Sequence, residues 1–381
     1  MVAFAPSPPH PLDSTPMLAP LLHVSLVAGL TGTPVGQAAY QSYSLPLAAP
    51  PEGLVVAELN TDGAPDLAVT LRTDVFELEL HTFRGVGNGD LQAAYVVPLL
   101  TVYGTRARIT PVQLGGDELI DLAIVDSFPG LLPGTGFLDL QGSASIPTYG
   151  GDPFSVDFAD IDGDGDLDST LLVNDLGGLY VDLGLNDGLG NLSDASFAFA
   201  PGPNHFSPFH RLVDNDGNGL PSVYLTSSAG LYRNAWPDGA ETNETLLAGD
   251  FGDFDSADLN GDGLPDLVLL EPTQGNVLVL LAQADGQYGA PVRFQSGRAP
   301  HALQLLDVNG DGATDVAIAN RDSDDVSIFT NDGTGQLTLA FKLPVGDGPI
   351  DLALIDLDLD GDLDLVTANE NSPSLTVLLQ G

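Results

Sequence analysis

Cysteine is absent from all 381 residues. That excludes disulfides, thiolate metal centres, a cysteine nucleophile and a lipoprotein anchor, although it leaves the compartment open. Basic residues are scarce as well: ten Lys and Arg stand against 53 Asp and Glu, for a formal net charge of −43. A chain with no basic stripe to meet phosphate is a poor partner for nucleic acid or anionic membranes. The apolar stretch Met17–Leu30 has 14 residues, too short for membrane insertion. No G-x-S-x-G, P-loop or H-E-x-x-H segment occurs, so no local catalytic signature is present and a non-enzymatic role is expected.

What the chain has in abundance is aspartate in a fixed arrangement. The segment "DIDGDGDLD" from Asp160 places carboxylates at positions 1, 3, 5 and 9 and Gly at position 6. Related nonapeptides begin at Glu58, Asp258, Asp307 and Asp356, and weaker copies begin at Gln113 and Asp214. The seven starts are separated by 55, 47, 54, 44, 49 and 49 residues, a period that marks stacked supersecondary units. Of the 53 acidic residues, 24 fall inside these seven windows. Much of the charge is therefore motif and not diffuse acidity.

Each nonapeptide sits between two runs with strand character, such as "LALID" before and "DLVTAN" after. A third run follows, for example "VSIFTN", and commonly ends in a hairpin signal such as "NDGTGQ". A fourth, more polar run such as "LTLAFKL" completes a four-stranded antiparallel meander. Sheets of this kind bury both faces when packed radially around an axis.

The chain ends support a closed ring. "SLTVLLQG" at the C-terminus matches the third run of the preceding repeat, so the last repeat lacks its fourth strand. "YSLPLAAPPEGLVVAE" near the N-terminus matches "FKLPVGDGPIDLALID", so the missing strand stands at the front. The expected fold is an all-β, seven-bladed β-propeller of four-stranded antiparallel blades. An N-terminal strand at about 38–46 pairs with 375–379, which removes the open edge. Residues 37–381 form this single domain. Residues 1–36 are either a flexible Pro-rich tail or an export segment.

The pattern D-x-[DN]-x-D-G-x-x-D, then D-[LV]-[AV]-x-A-N, then N-D-G-x-G resembles the FG-GAP/VCBS repeat family. These are bacterial relatives of the seven-bladed integrin α-chain head, and some fungal lectins are similar. The "FG" and "GAP" words of the integrin repeat appear only in fragments, such as Phe251-Gly252 and Gly289-Ala290-Pro291.

Alternating oxygen donors with a glycine turn at position 6 suit Ca2+, a hard cation that takes six to eight oxygens. Five loops carry the full donor set: Glu58, Asn60, Asp62 and Asp66; Asp160, Asp162, Asp164 and Asp168; Asp258, Asn260, Asp262 and Asp266; Asp307, Asn309, Asp311 and Asp315; and Asp356, Asp358, Asp360 and Asp364. The loop with Asp214, Asp216 and Asn218 has Ser222 at position 9 and should bind more weakly. The loop at Gln113 keeps only Asp117 and Asp121 and should bind nothing.

A ring of calcium loops reads as structural, and calcium at the level such loops need is sustained outside cells, so an extracellular or cell-surface, monomeric binding or adhesion module is expected. Its ligand would be a protein or a surface polymer. The resemblance to integrin heads implies a ligand face opposite the calcium loops, where segment 126–136, Arg106, His205, His301 and Arg321 are candidates. A lectin-like carbohydrate binder is the alternative, and a polysaccharide-active enzyme the third reading. Nine Tyr and one Trp that do not recur in register argue against sugar sites repeated once per blade.

Overall fold

A strand with neighbours on both edges and a packed sheet on both faces must be apolar along its whole length. The second run of each repeat has that character. The computed structural model describes residues 25–26, 40–74, 77–100, 107–114, 119–125, 129–134, 144–146, 152–175, 178–194, 209–215, 221–234 and 243–381. In it Asp121–Val125, Asp266–Glu271, Asp315–Asn320 and Asp364–Asn369 are buried at every position. The fourth strands face solvent, as in Val292–Gln295, where three of four residues are exposed. Polarity thus rises from the inside of each blade outward.

The described strands form seven antiparallel sheets, numbered as blades 1 to 7 in chain order from the one that begins at Pro51, each acidic loop taking the number of its blade; blades 1 to 6 are four-stranded meanders. The seventh contains Pro349–Ile355, Asp364–Asn369 and Ser374–Gln380 and is completed by Tyr40–Pro46. The closing register runs from Tyr40 opposite Gln380 to Pro46 opposite Ser374. The ring closes through the strand expected from the sequence. Ser25–Leu26 adds a fifth strand, antiparallel to Gln41 and Ser42; the rest of 1–36 lies outside the described residues.

Period-2 alternation divides each second strand between two neighbours. In blade 5, Leu267 and Leu269 join a cluster with Tyr224 of blade 4, whereas Val268 and Leu270 join one with Val316 and Ile318 of blade 6. Ala317 and Ala319 of blade 6 pack towards Leu365 of blade 7, and Val366 and Ala368 of blade 7 towards Leu67 and Val69 of blade 1. Each of the seven blade boundaries has its own apolar cluster. Among the described residues the boundary between blades 3 and 4 is the leanest, with Leu172, Val181 and Leu225 as its buried apolar residues. There His210, fully buried, bridges Ser155 Oγ at 2.5 Å and Thr170 Oγ1 at 2.9 Å. Burial pushes this imidazole down to about 3, so it is a neutral core residue.

Meander topology fixes what lies at each end of the ring. The nonapeptide loops join first to second strands, and the hairpins join third to fourth strands, so both fall at one end. Asn186 Nδ2 of the blade 3 hairpin donates to Leu114 O at 3.3 Å in the loop of blade 2, and Asn331 Nδ2 of blade 6 donates to Leu259 O at 2.8 Å in the loop of blade 5. Loop and neighbouring blade are therefore joined through polar contacts as well as through the core.

Candidate metal centres

Within each complete loop the backbone folds around its own carboxylates. The position 1 side chain accepts amide hydrogens from later loop residues: Asp160 from Gly163 at 2.8 Å and Gly165 at 3.0 Å, Asp307 from Gly310 at 2.7 Å and Gly312 at 2.8 Å. Position 3 accepts from position 5, as in Asp311 N to Asn309 Oδ1 at 2.8 Å. The turn needs two left-handed residues and not one. Position 6 is Gly throughout, with φ from 85 to 98 in Gly63, Gly165, Gly263, Gly312 and Gly361. Position 4 is left-handed too, and there Thr61 and Leu359 occupy φ 64 without the freedom of glycine.

Among the described residues carboxylate convergence is tightest in two loops. One oxygen each of Asp160, Asp162 and Asp168 lie within 4.8 Å of one another, and Asp356, Asp358 and Asp364 repeat the arrangement. An oxygen-only donor set of this density suits a hard divalent cation, since each carboxylate oxygen that accepts one amide keeps a second lone pair. Partial burial and then the neighbouring Asp360 and Asp356 raise Asp358, a repulsion that a cation would relieve. The residues present therefore fit a Ca2+ at these two loops, and the loops at Asp258 and Asp307 share their fold with Asn at position 3.

The position 9 aspartate carries a second role that spacing did not expose. In six blades its Oδ2 accepts the amide of loop position 2, from Leu59, Leu114, Ile161, Leu259, Val308 or Leu357, at 2.8 to 3.1 Å. Its Oδ1 accepts an amide at the end of the third strand, from Gly85, Gly134, Asn186, Ala282, Asn331 or Gln380, at 2.7 to 3.0 Å. Asp66, Asp168, Asp266, Asp315 and Asp364 are wholly buried, and burial raises Asp66 and Asp364 to about 6. Asp121 makes both bonds in a loop whose positions 1 and 3 are Gln113 and Gly115. The clamp therefore persists where the full metal-donor set is missing.

A further set of charges lies on the axis. First strands of neighbouring blades contact one another around the ring, so their free edges face the centre, where unpaired amides need acceptors. Neighbouring side chains supply them: Leu54 N donates to Asp351 at 2.9 Å, Leu212 N to Asp157 at 2.7 Å and Leu354 N to Gln304 at 2.8 Å. Arg211 lies 3.6 Å from Asp253, and Arg108 stacks 3.7 Å from the Phe209 ring centroid. Burial raises Asp351 to about 6 and Asp157 and Asp253 also upward, with Arg211 opposing the latter two.

Of the ligand-face candidates, His301 Nδ1 lies 2.8 Å from Ile350 O, and Arg321 pairs with Glu370 at 2.9 Å. Both residues sit at the end opposite the metal loops and tie blade 6 to blade 7. Arg106, His205, Asp216, Asn218, and residues 126–128 and 135–136 lie outside the described residues. No helix among the described residues is long and apolar enough to cross a membrane.

Comparison with known proteins agrees with this architecture. The FG-GAP-like repeat model matches residues 258–318 and 307–367, which span blades 5 to 7. The chain is thus a seven-bladed β-propeller that carries FG-GAP-like repeats over blades 5 to 7. No curated protein matches. Among solved structures, BBS1N in its complex with ARL6DN shares 11% identity at TM-score 0.59, covering 89% of this chain and 97% of that one. A protein from Lactobacillus plantarum shares 16% at TM-score 0.55, covering 83% and 94%. An Agrocybe aegerita lectin, described as recognising non-reducing terminal N-acetylglucosamine, shares 16% at TM-score 0.51, covering 86% and 85%. At such identities the likeness is one of fold.

Proposed function

We propose that this chain is a calcium-stabilised, extracellular binding or adhesion module for a protein or surface polymer, and that it has no catalytic role. The observation that carries the reading is the convergence of Asp160, Asp162 and Asp168, and of Asp356, Asp358 and Asp364, on the same end of their blades. The loops at Glu58, Asp258 and Asp307 complete a set of five sites, with a weaker one at Asp214. Calcium there would neutralise converging carboxylates and cross-link each loop to its blade. The ligand would bind at the opposite end, where blade connections carry His301 and Arg321.

A metal that binds the folded ring alone stabilises it by about 2.7 kcal/mol per site at hundredfold excess over Kd. Chelation with EDTA should therefore lower the melting temperature by about 4 °C for every site emptied. An identical melt in calcium and in EDTA removes the metal from the reading. A glycan array probed with and without calcium addresses the ligand: a calcium-dependent sugar hit would favour the lectin-like alternative over protein recognition.

A further inference from the structure

Loop 1 differs from its four complete siblings in what occupies its carboxylates. Arg84 Nε donates to Asp62 Oδ2 at 2.8 Å, and Arg84 Nη2 is 2.8 Å from the same oxygen. Asp62 Oδ1 accepts the Ala64 amide at 3.1 Å, so both oxygens of this position 5 donor are engaged. Asn60 Nδ2 donates to Asp66 Oδ1 at 3.0 Å, which directs the position 3 amide onto the position 9 acid. Among the described ion pairs, Arg84 with Asp62 is the one that involves a donor of a complete loop.

The origin of the difference is one residue at one register position. Arg84 directly precedes Gly85, whose amide bonds to Asp66, and Phe83 stands opposite Leu67. The same place in blade 6 is Thr330, which precedes Asn331 and follows Phe329 opposite Val316. In blades 3, 5 and 7 it is Leu185, Leu281 and Leu379, each preceding the residue whose amide bonds to the position 9 acid. Arg84 reaches the loop of its own blade, whereas Leu281 and Leu379 lie against the hairpins of the next blades at Gly335 and Gly89, and only blade 1 among these five puts a cation at this position.

Resting on the calcium reading above, we infer that Arg84 is the built-in counter-ion of loop 1 and sets its calcium affinity by competing with the metal for Asp62. Loops 3 and 7 present converging carboxylates that only an external cation can neutralise. Loop 1 is already neutralised in part, so it fills last of the five complete loops as calcium rises, and filling it releases a guanidinium at the surface. Arg84 is 53% exposed and Asp62 26%, so the pair is an exposed one and its loss should change affinity by about fivefold at most. The competition is electrostatic and should weaken as ionic strength rises.

Calorimetric titration of the chelator-treated full chain with CaCl2 tests this, with thermal melts as the folding control. Arg84→Met keeps the aliphatic stem and should tighten one equivalent of calcium by about fivefold at low salt; adding Asp62→Asn should abolish the gain. Thr330→Arg moves the guanidinium to blade 6 and should weaken one equivalent by a similar factor. If the wild-type chain binds calcium but Arg84→Met leaves its isotherm unchanged, the competition is refuted while the calcium reading stands. A flat wild-type titration removes the calcium reading, and the competition with it.

Discussion

The clamp at position 9 can be separated from metal binding in blade 2. Replacing Asp121 by Ala leaves the amides of Leu114 and Gly134 without the acceptors they have at 3.0 and 2.7 Å. The Leu114 bond is buried and Asp121 itself is only 5% exposed, so water reaches the stranded amide poorly. An orphaned buried donor costs about 1–3 kcal/mol, and two give about 2–6 kcal/mol for the variant. Unfolding entropy of about 2.1 cal/mol/K per residue over a ring of this size translates that into a melting-temperature drop of roughly 3–8 °C. Asp121→Asn retains one good acceptor and should lose about half as much. Differential scanning calorimetry in calcium and in EDTA is the assay, because this loop has no side-chain donor at position 3, Gly115, and no carboxylate at position 1, Gln113. The loss should be equal in both buffers. A loss below 1 °C, or one that disappears on chelation, would show that position 9 acts through metal alone.

Two other perturbations follow from the loops and the axis. Asp351, raised to about 6 by burial, binds more protons folded than unfolded between roughly pH 4 and 6, so its contribution to stability falls as pH rises through 6. Asp351→Asn should therefore stabilise the EDTA-treated ring at pH 8, by at most about 3 kcal/mol, and change little at pH 4.5; equal melting shifts at both values would exclude a raised Asp351. Thr61→Gly relieves a β-branched residue at φ 64 and should stabilise by about 1 kcal/mol in denaturant unfolding, whereas a destabilised variant would mean that the threonine side chain contributes more than its backbone costs.

The ring itself was legible because it is written seven times. A single run such as "DLVTAN" is ambiguous, but its recurrence behind each acidic loop fixes strand order, and the split repeat at the two ends fixes the closure. The loop donors at positions 1, 3 and 5 were legible for the same reason. What escaped was information carried by one copy or by distant residues. The second left-handed position is disguised where Thr61 and Leu359 replace glycine. The pairing of Arg84 with Asp62 spans two strands and, among the described residues, has no counterpart in another complete loop. Asp157, Asp253, Asp351, Arg108 and Arg211 meet at the axis only because separate first strands converge there, and no local pattern marks them. The position 9 aspartate was recognised but read as a donor, because a conserved-looking spacing cannot distinguish an oxygen that binds metal from one that receives two amides.

The register of the closing strand also dictates how the molecule meets a mechanical load. Tyr40 lies opposite Gln380, so the chain enters and leaves blade 7 at the same end of one ladder. Tension applied between residue 40 and Gly381 would not shear all seven backbone pairs together. It would open them in sequence, from Tyr40 towards Pro46, as a zip opens. A ring whose blades are individually well packed is then only as strong, along its own chain, as the next pair in that ladder. A ring built this way would transmit sustained force better through its loops and faces than through its ends.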